Sequence, residues 1–290
     1  MTNEQTTLPN WTGLLNWSTK FHDGTQRSQF SSLDPERREW LERALQSAYG
    51  GGESPQKIMT KAIDEISEGR VSAGLDLLDY VSDFPDCAED IDKRGALKPL
   101  IALISSPESG VIIRALEVLT LYLPNNPRVQ LAAALRYEMM QKLRICIRTH
   151  ATEPTVIHSG LSVMGATIRN VVPLENSFVK DGGCEFIVEI GSTSNDKSVV
   201  QKVCSILVSL KERHSLTENS DSISKMLERI YSSDIFDRSD IQFWEIIASL
   251  CSKSNVEEKN LLRLIAQRLE WIGDQAEYDS EREILVISKQ

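Results

Sequence analysis

Apolar residues recur every three to four positions along most of the chain, which is the spacing of amphipathic α-helices. The first such stripe runs from Trp40 to Ala48. Asp34 and Pro35 precede it, a pair typical of a helix start with an Asp N-cap and Pro at the first helical position. Further helix boundaries are marked by Pro85, Pro107, Pro127, Pro154 and Pro173. No segment alternates convincingly in the manner of a strand, so the pattern predicts an all-α protein.

The helical pattern repeats with a period of 43 to 44 residues. Each copy contains one marker residue, Gly95, Glu138 or Gly182, at the same position of the repeat. Two apolar residues follow each marker at fixed spacing: Leu97 and Leu100, Met140 and Leu143, and Cys184 and Ile187. A longer helix follows each marker. This period suits armadillo and HEAT repeats, and two short helices before one long helix favour armadillo. Because such short helices are marginal alone, each must pack against its copies. We therefore predict an armadillo-like α-solenoid, a right-handed superhelix of helical repeats.

The pattern divides the chain into four predicted segments. Residues 1–33 are polar and turn-rich and are expected to form a flexible N-terminal arm. Residues 34–70 are predicted to be N-terminal capping helices, 71–254 the armadillo-like repeats, and 255–290 a C-terminal capping helix with a charged outer face. Glu138 stands where the other two markers are glycine, which leaves the bend at that position an open question.

Composition narrows the function classes. The formal net charge of -10 argues against a protein that binds nucleic acid by neutralising phosphates. No apolar run approaches the roughly 18 residues of a membrane span, and the N-terminus lacks the basic and apolar regions of a secretory signal. The five cysteines are scattered and never form a CxxC pair. They are expected to be free thiols in a reducing cytoplasm, with entry into the nucleus left open.

A search for chemistry finds no catalytic constellation, so we expect no enzyme, no cofactor and no metal. The histidines form no HExxH motif, there is no GxSxG elbow, and Gly50-Gly51-Gly52 is not followed by Gly-Lys-Ser/Thr. The acidic run from Asp86 to Asp92 lacks the glycine of a calcium loop and is better read as a solvated helix face. Only Trp244 lies on a helix that could carry an importin-like Trp–Asn ladder, and no Asn follows it one turn later.

Several stretches resemble one family. The segment "NWTGLLNWSTKFHDGTQRSQFSSLDPERREWLERALQSA" contains a Leu-Leu-x-Trp-Ser element, a spacer and an Arg-x-Trp-Leu-x-x-Ala helix. "LDLLDYVSDFPDCAEDIDKRGALKPLIALI", "LPNNPRVQ" and "LLRLIAQRLEWIGDQAEYDSEREIL" resemble later blocks of the same family. Together they resemble the Fes-type and heat-shock-protein-binding-protein family of armadillo nucleotide exchange factors for heat-shock protein 70. The resemblance is most specific over residues 10–130 and fades between 215 and 255.

The resemblance implies a non-enzymatic, monomeric co-chaperone. Family members bind the ATPase domain of heat-shock protein 70 with a concave armadillo surface and open its nucleotide cleft, so that ADP leaves. The resemblance also implies that a flexible N-terminal arm assists client release by contacting the substrate-binding domain. Neither nucleic acid nor membrane is an expected partner. The alternative is an armadillo scaffold that binds a peptide or protein unrelated to nucleotide exchange.

Four residues are candidate contacts on the concave face: Lys202, Arg114, His158 and Ala88. Arg114, His158 and Lys202 are 44 residues apart and share one column of the repeat. The resemblance favours Lys202 most, because a basic residue on the matching helix belongs to the family's contact surface. Ala88 would allow close approach by a partner. The alternatives are a solvated helix face for the charged residues and ordinary helix packing for Ala88.

In the N-terminal arm, an apolar cluster resembles segments that the chaperone's substrate domain accepts. Its residues are Leu14, Leu15, Trp17 and Phe21, with Lys20 beside them. One hypothesis is that this cluster mimics a client and blocks its rebinding. The other is that Leu14, Leu15 and Trp17 dock on the first repeat as a cap. The sequence leaves both open.

Overall fold

The computed structural model describes residues 34–48, 53–214, 216, 219–252 and 259–287. These residues contain sixteen α-helices and no strand, which confirms the predicted all-α, solenoid-like class. The chain separates into two compact units, residues 1–54 and 55–290. In the first unit the described helix is α1, Pro35–Ala48. It begins as predicted, since the Asp34 carboxylate accepts a hydrogen bond of 2.9 Å from the Arg37 backbone N–H.

The second compact unit begins with a helical pair, α2 (Pro55–Ser67) and α3 (Val71–Ser82). It continues with three groups of three helices of similar design, and from here on each of these groups is called a unit. The first is α4 (Pro85–Asp90), α5 (Leu97–Ala102) and α6 (Ser109–Tyr122). The second is α7 (Pro127–Leu131) with a π turn (Ala132–Arg136), α8 (Met139–Thr149) and α9 (Pro154–Ile168). The third is α10 (Val172–Lys180), α11 (Gly183–Thr193) and α12 (Lys197–Lys211).

The chain bends at the same point of each unit, just before the second helix. Gly95, Glu138 and Gly182 all have positive φ angles, of 80°, 53° and 71°. This conformation suits glycine, and a residue with a Cβ adopts it at a cost of about 1–2 kcal/mol. The bend is therefore present at Glu138 although the side chain there is unfavourable, which answers the question that the sequence left open.

The longest helix of each unit packs against the corresponding helix of the next. Helices α3, α6, α9 and α12 form such a series, and α14 (Ile241–Ser252) and α16 (Asp279–Ile287) continue it. Apolar residues on these helices form a single buried core. Within it, the Tyr122 hydroxyl donates a hydrogen bond to the Leu78 carbonyl one unit earlier. The core holds the series of long helices in register because each unit buries its apolar face only against its neighbours.

The C-terminal segment contains more than the single capping helix predicted for residues 255–290. Within these residues, α15 (Lys259–Ile272) comes first. A 3₁₀ turn (Ala276–Tyr278) then leads into α16. Helix α13 (Ser220–Ser232) lies earlier in the chain, before α14. The wider predicted division at residues 33, 70 and 254 stays a prediction. All five cysteines are buried and free.

Candidate functional site

Arg114, His158 and Lys202 lie on three neighbouring long helices, α6, α9 and α12. These helices pack side by side, and all three side chains are partly exposed. We call the surface formed by these residues and their neighbours Asp76, Asp79, Glu117 and Arg169 the long-helix face. The repeat spacing in the sequence therefore identified residues that the fold brings into one column.

At one end of the long-helix face, Arg114 is held by carboxylates. Its guanidinium pairs with Asp79 and, at 3.2 Å, with Asp76, both on α3. Glu117, one turn along α6, lies 3.5 Å away. The hydrogen bond to Asp79 is the largest influence that raises the pKa of Arg114. Because three carboxylates surround one guanidinium, this end of the face is net negative.

The middle of the long-helix face is positive. Burial and the nearby Arg169 guanidinium lower the pKa of Lys202. Burial and the charge of Lys202 likewise lower the pKa of His158, while Asp196 acts in the opposite direction. Within the described residues, no carboxylate forms an ion pair with His158 or Lys202. A half-buried ammonium group without such a partner retains attraction for an incoming anion.

The long-helix face is thus polarised, with carboxylates where α3 meets α6 and cations where α9 meets α12. Such a surface suits a partner whose charges are arranged in the opposite order. Sequence reasoning missed Asp76, Asp79 and Arg169, because they lie outside the 44-residue column of Arg114, His158 and Lys202. The signal that could have indicated the two aspartates is their i, i+3 spacing, which places both on one face of a helix.

Ala88 does not lie on a long helix. It belongs to the short helix α4, is half-buried, and packs against the core. Its backbone carbonyl accepts a hydrogen bond of 2.8 Å from the Asn126 side chain. The described contacts of Ala88 are therefore those of helix packing, and its role as a contact stays a prediction.

Other candidate chemistry has a structural explanation or lies outside the described residues. Trp244 is 2% exposed, and its indole N–H donates to the Asp237 carbonyl at 2.9 Å, so it belongs to the core. In the ranges that the structure describes, no group of three or more His, Cys, Asp or Glu side chains could hold a metal ion. The described helices include none long and apolar enough to cross a bilayer. The cluster of Leu14, Leu15, Trp17 and Phe21 lies outside the described residues.

Comparison with known proteins finds a distant relative and solved structures of similar fold. No family model matches the chain. A curated protein of Xenopus laevis named nucleotide exchange factor SIL1 is 27% identical over 172 residues, which is 58% of this chain and 37% of the relative. The matched region therefore spans little more than a third of that relative. The crystal structure of an engineered protein superimposes with a TM-score of 0.59 at 14% identity, covering 82% of this chain and 98% of the other. That likeness shows the fold alone.

Proposed function

We propose that this protein is a nucleotide exchange factor for heat-shock protein 70, which binds the chaperone's ATPase domain through the long-helix face and promotes ADP release. Two observations support the proposal. The chain is similar to a protein named as a nucleotide exchange factor, and its motifs resemble the Fes-type family. In this proposal the protein is a non-enzymatic, monomeric component of the cytoplasm and an armadillo-type solenoid.

The observation that carries the binding surface is the positive centre formed by Lys202 beside the neutral imidazole of His158. Both side chains are half-buried, and neither has an ion-pair partner in the described part of the chain. A carboxylate of the ATPase domain placed at this centre would offset the desolvation of Lys202 and fix the register of the complex. The carboxylates around Arg114 would at the same time face basic groups of the partner.

The proposed action follows from linkage. A factor that binds the open state of the nucleotide cleft more tightly than the closed state weakens nucleotide binding. Nucleotide must weaken the binding of the factor by the same free energy. A stable complex of this kind needs about 1,000 Å² of buried surface, which several adjacent long helices are able to supply.

The test is the release of a fluorescent ADP analogue from purified heat-shock protein 70. Wild-type protein should accelerate release, and Lys202→Glu should reduce the acceleration about tenfold or more, because a charge reversal at an interface centre costs about 2 kcal/mol or more. Arg263→Glu is the matched control, since it makes the same charge change at an exposed position on α15. If wild-type protein leaves the release rate unchanged, the proposed function is wrong.

Capture of the chaperone from lysate, with and without ATP, separates exchange from scaffolding. An exchange factor should capture the chaperone from lysate and lose it when ATP is added. Capture that ATP does not affect would support the alternative of a scaffold. Ala88→Arg is a second probe of the surface, with the melting temperature measured in parallel, because the half-buried position of Ala88 makes an added side chain costly in itself.

We further propose that the N-terminal arm mimics a client of the chaperone through Leu14, Leu15, Trp17 and Phe21. Tethering would raise the effective concentration of the arm to about millimolar, so that even weak binding competes with a released client. A chain that begins at Asp34 should then accelerate ADP release from the chaperone as much as wild-type protein does. It should, however, leave more labelled client peptide bound to the chaperone. A joint loss of ADP release and thermal stability would instead identify the arm as a structural cap.

A further inference from the structure

A second surface, away from the long-helix face, concentrates positive charge in an acidic protein. The stretch from Pro127 to Thr149 contains one acidic residue, Glu138, and five basic residues: Arg128, Arg136, Lys142, Arg144 and Arg148. The whole chain has a formal net charge of -10. The positive charge of this stretch is therefore opposite in sign to that of the protein as a whole, so the stretch attracts an anionic group although the net charge of the protein does not.

Structural ion pairs use part of this charge. Arg136 pairs with Asp92 at 2.8 Å, and Arg148 approaches Glu189 at 3.6 Å. Arg144 donates instead to the neutral backbone carbonyl of Asp181, at 3.0 and 3.1 Å. Among the described residues, Arg128 and Arg144 are not joined to a carboxylate by an ion pair, although the charge of Arg128 attracts the nearby Asp90 carboxylate and helps to lower its pKa. Both guanidinium groups are thus still able to bind an external carboxylate.

The π turn exposes an apolar side chain among these arginines. Ala132–Arg136 forms one wide turn after α7, a type of turn that is frequent at functional sites. Leu135 in this turn is 70% exposed, although burying a leucine is worth about 2 kcal/mol. Its neighbours Leu131 and Ala134 are half-buried and pack on the core. An exposed leucine fixed on an ordered turn offers apolar contact area without an ordering cost.

Leu135 lies between two depressions and lines both of them. The first is also lined by Arg128, Leu131 and Arg136. The second is also lined by Met140, Arg144 and Phe178. We call these two depressions together the Leu135 groove. Its apolar lining is aliphatic and aromatic. Its charged lining consists of four basic residues and three acidic ones, and therefore has a small excess of positive charge: Lys93, Arg128, Arg136 and Arg144 against Asp92, Glu138 and Asp181. This combination is the arrangement of an amphipathic binding surface.

We propose that the Leu135 groove binds an acidic protein segment that carries leucine-like side chains. Carboxylates of the segment would pair with Arg128 and Arg144, because the guanidinium fork matches carboxylate geometry. Its apolar side chains would cover Leu135 and enter the two depressions. The inference goes beyond the proposed function and does not depend on it.

The groove favours a protein segment over nucleic acid or an anionic membrane. Binding of single-stranded nucleic acid relies on exposed aromatic side chains for base stacking, whereas Phe178 and Phe186 are buried. Membrane surfaces are bound by clusters of about four to eight basic residues, whereas the lining of the groove mixes four basic residues with three acidic ones. A short acidic segment needs only a few cationic contacts.

The test measures fluorescence anisotropy of a labelled peptide made of repeated Leu-Glu-Glu triplets with the full-length protein. The variant Arg128→Glu/Leu135→Ser changes two exposed side chains. The matched control Arg263→Glu/Ile235→Ser makes the same changes in charge and polarity at exposed positions elsewhere. We expect the groove variant to weaken binding about tenfold or more and the control to bind like wild type. Thermal melts of both variants should match that of wild type.

Three comparison probes make the proposal falsifiable. A peptide of repeated Ser-Glu-Glu triplets has the same charge without leucine and should bind at least about tenfold more weakly. Equal binding of both peptides would reduce the site to non-specific anion attraction and overturn the proposal. The proposal would also be overturned if single-stranded DNA or anionic vesicles bound more tightly than the Leu-Glu-Glu peptide and the groove variant abolished that binding. It would equally be overturned if the control variant lost affinity for the Leu-Glu-Glu peptide, or if this peptide did not bind at all.

Discussion

Arg268 and Glu281 form an ion pair inside the C-terminal helices. Two hydrogen bonds join them, Nε to Oε1 at 2.8 Å and Nη2 to Oε2 at 2.9 Å. Their side chains are 4% and 0% exposed. The guanidinium also lies 4.5 Å from the ring centroid of Trp244 and 4.6 Å from that of Trp271. The pair therefore joins α15 to α16 and to the core of α14, with every charged atom supplied with partners.

Removing one member of this pair should destabilise the protein strongly. Arg268→Leu leaves the Glu281 carboxylate buried without a cation, and we expect the free energy of unfolding to fall by about 3–5 kcal/mol. The double variant Arg268→Leu/Glu281→Leu should regain most of this loss, because two apolar side chains need no partner. Urea denaturation measures both. Arg263→Leu, an exposed position on the same helix, is the control and should shift stability by no more than about 0.5 kcal/mol. If Arg268→Leu and Arg263→Leu changed the free energy of unfolding equally, this would contradict the stabilising role of the buried pair.

Glycine at position 138 should stabilise the protein. Glu138 has a φ of 53°, and glycine adopts this conformation without strain. We expect Glu138→Gly to raise the free energy of unfolding by about 0.5–1 kcal/mol, measured by urea denaturation. Glu138→Ala keeps the strain and should give no gain. The converse variant, Gly95→Ala, should lose about 1 kcal/mol, since its φ is 80° and no neighbouring atom would touch the new methyl group. A gain from alanine at 138 as large as that from glycine would assign the effect to the side chain and not to the backbone.

The Gln130 side chain should act as an obligatory donor. Its amide nitrogen lies 2.8–3.0 Å from the carbonyl oxygens of Ala166, Thr167 and Arg169, at the end of α9. Gln130→Ala leaves these carbonyls without their donor and should cost about 2–3 kcal/mol. Gln130→Glu should cost more, because a carboxylate would face the carbonyl oxygens. Gln141→Ala, at an exposed position on α8, is the control for both. If chemical denaturation shows that the Gln130→Glu variant is more stable than the Gln130→Ala variant, this role is ruled out.

The imidazole of His158 should titrate below its ordinary pKa near 6.5. Burial and then Lys202 lower the pKa, so the folded protein holds His158 neutral at pH 7. Below pH 6.5 the unfolded chain binds more protons than the folded chain at this residue. Its contribution to stability is therefore present above pH 6.5 and is lost as the pH falls through the lowered pKa of the folded state. NMR titration of the imidazole measures the pKa directly.

Two variants assign the cause of the His158 shift. Lys202→Met removes the neighbouring charge and should move the pKa of His158 upward. Asp196→Asn removes a carboxylate that favours the protonated imidazole and should move the pKa further down. If the pKa of His158 changes in neither variant, burial alone lowers it. The same titration repeated with the bound chaperone would then report whether the long-helix face is covered in the complex.

The motif "LPNNPRVQ", which contributed to the family resemblance, has a structural role that its sequence did not reveal. The Asn126 side chain accepts from the Val129 N–H at the start of α7 and donates to the Ala88 carbonyl. Gln130 binds the far end of α9. In the next unit Glu175 takes a similar place, but it accepts from Arg213 at 2.7 Å. The repeat pattern does not predict this exchange of an amide for a carboxylate, because the partners lie about 38 residues away in the chain.

The sequence by itself determined the helical class, the period of the repeat, the bends at Gly95 and Gly182, and the column of Arg114, His158 and Lys202. These are local or periodic properties, set by the spacing of apolar residues and by prolines and glycines. Only the tertiary structure decided which charges meet. The carboxylates around Arg114, the ion pair of Arg268 with Glu281 and the exposure of Leu135 depend on the packing of separate helices. Long charged side chains extend in directions that spacing along one helix does not specify, so their partners follow from the fold and not from the pattern.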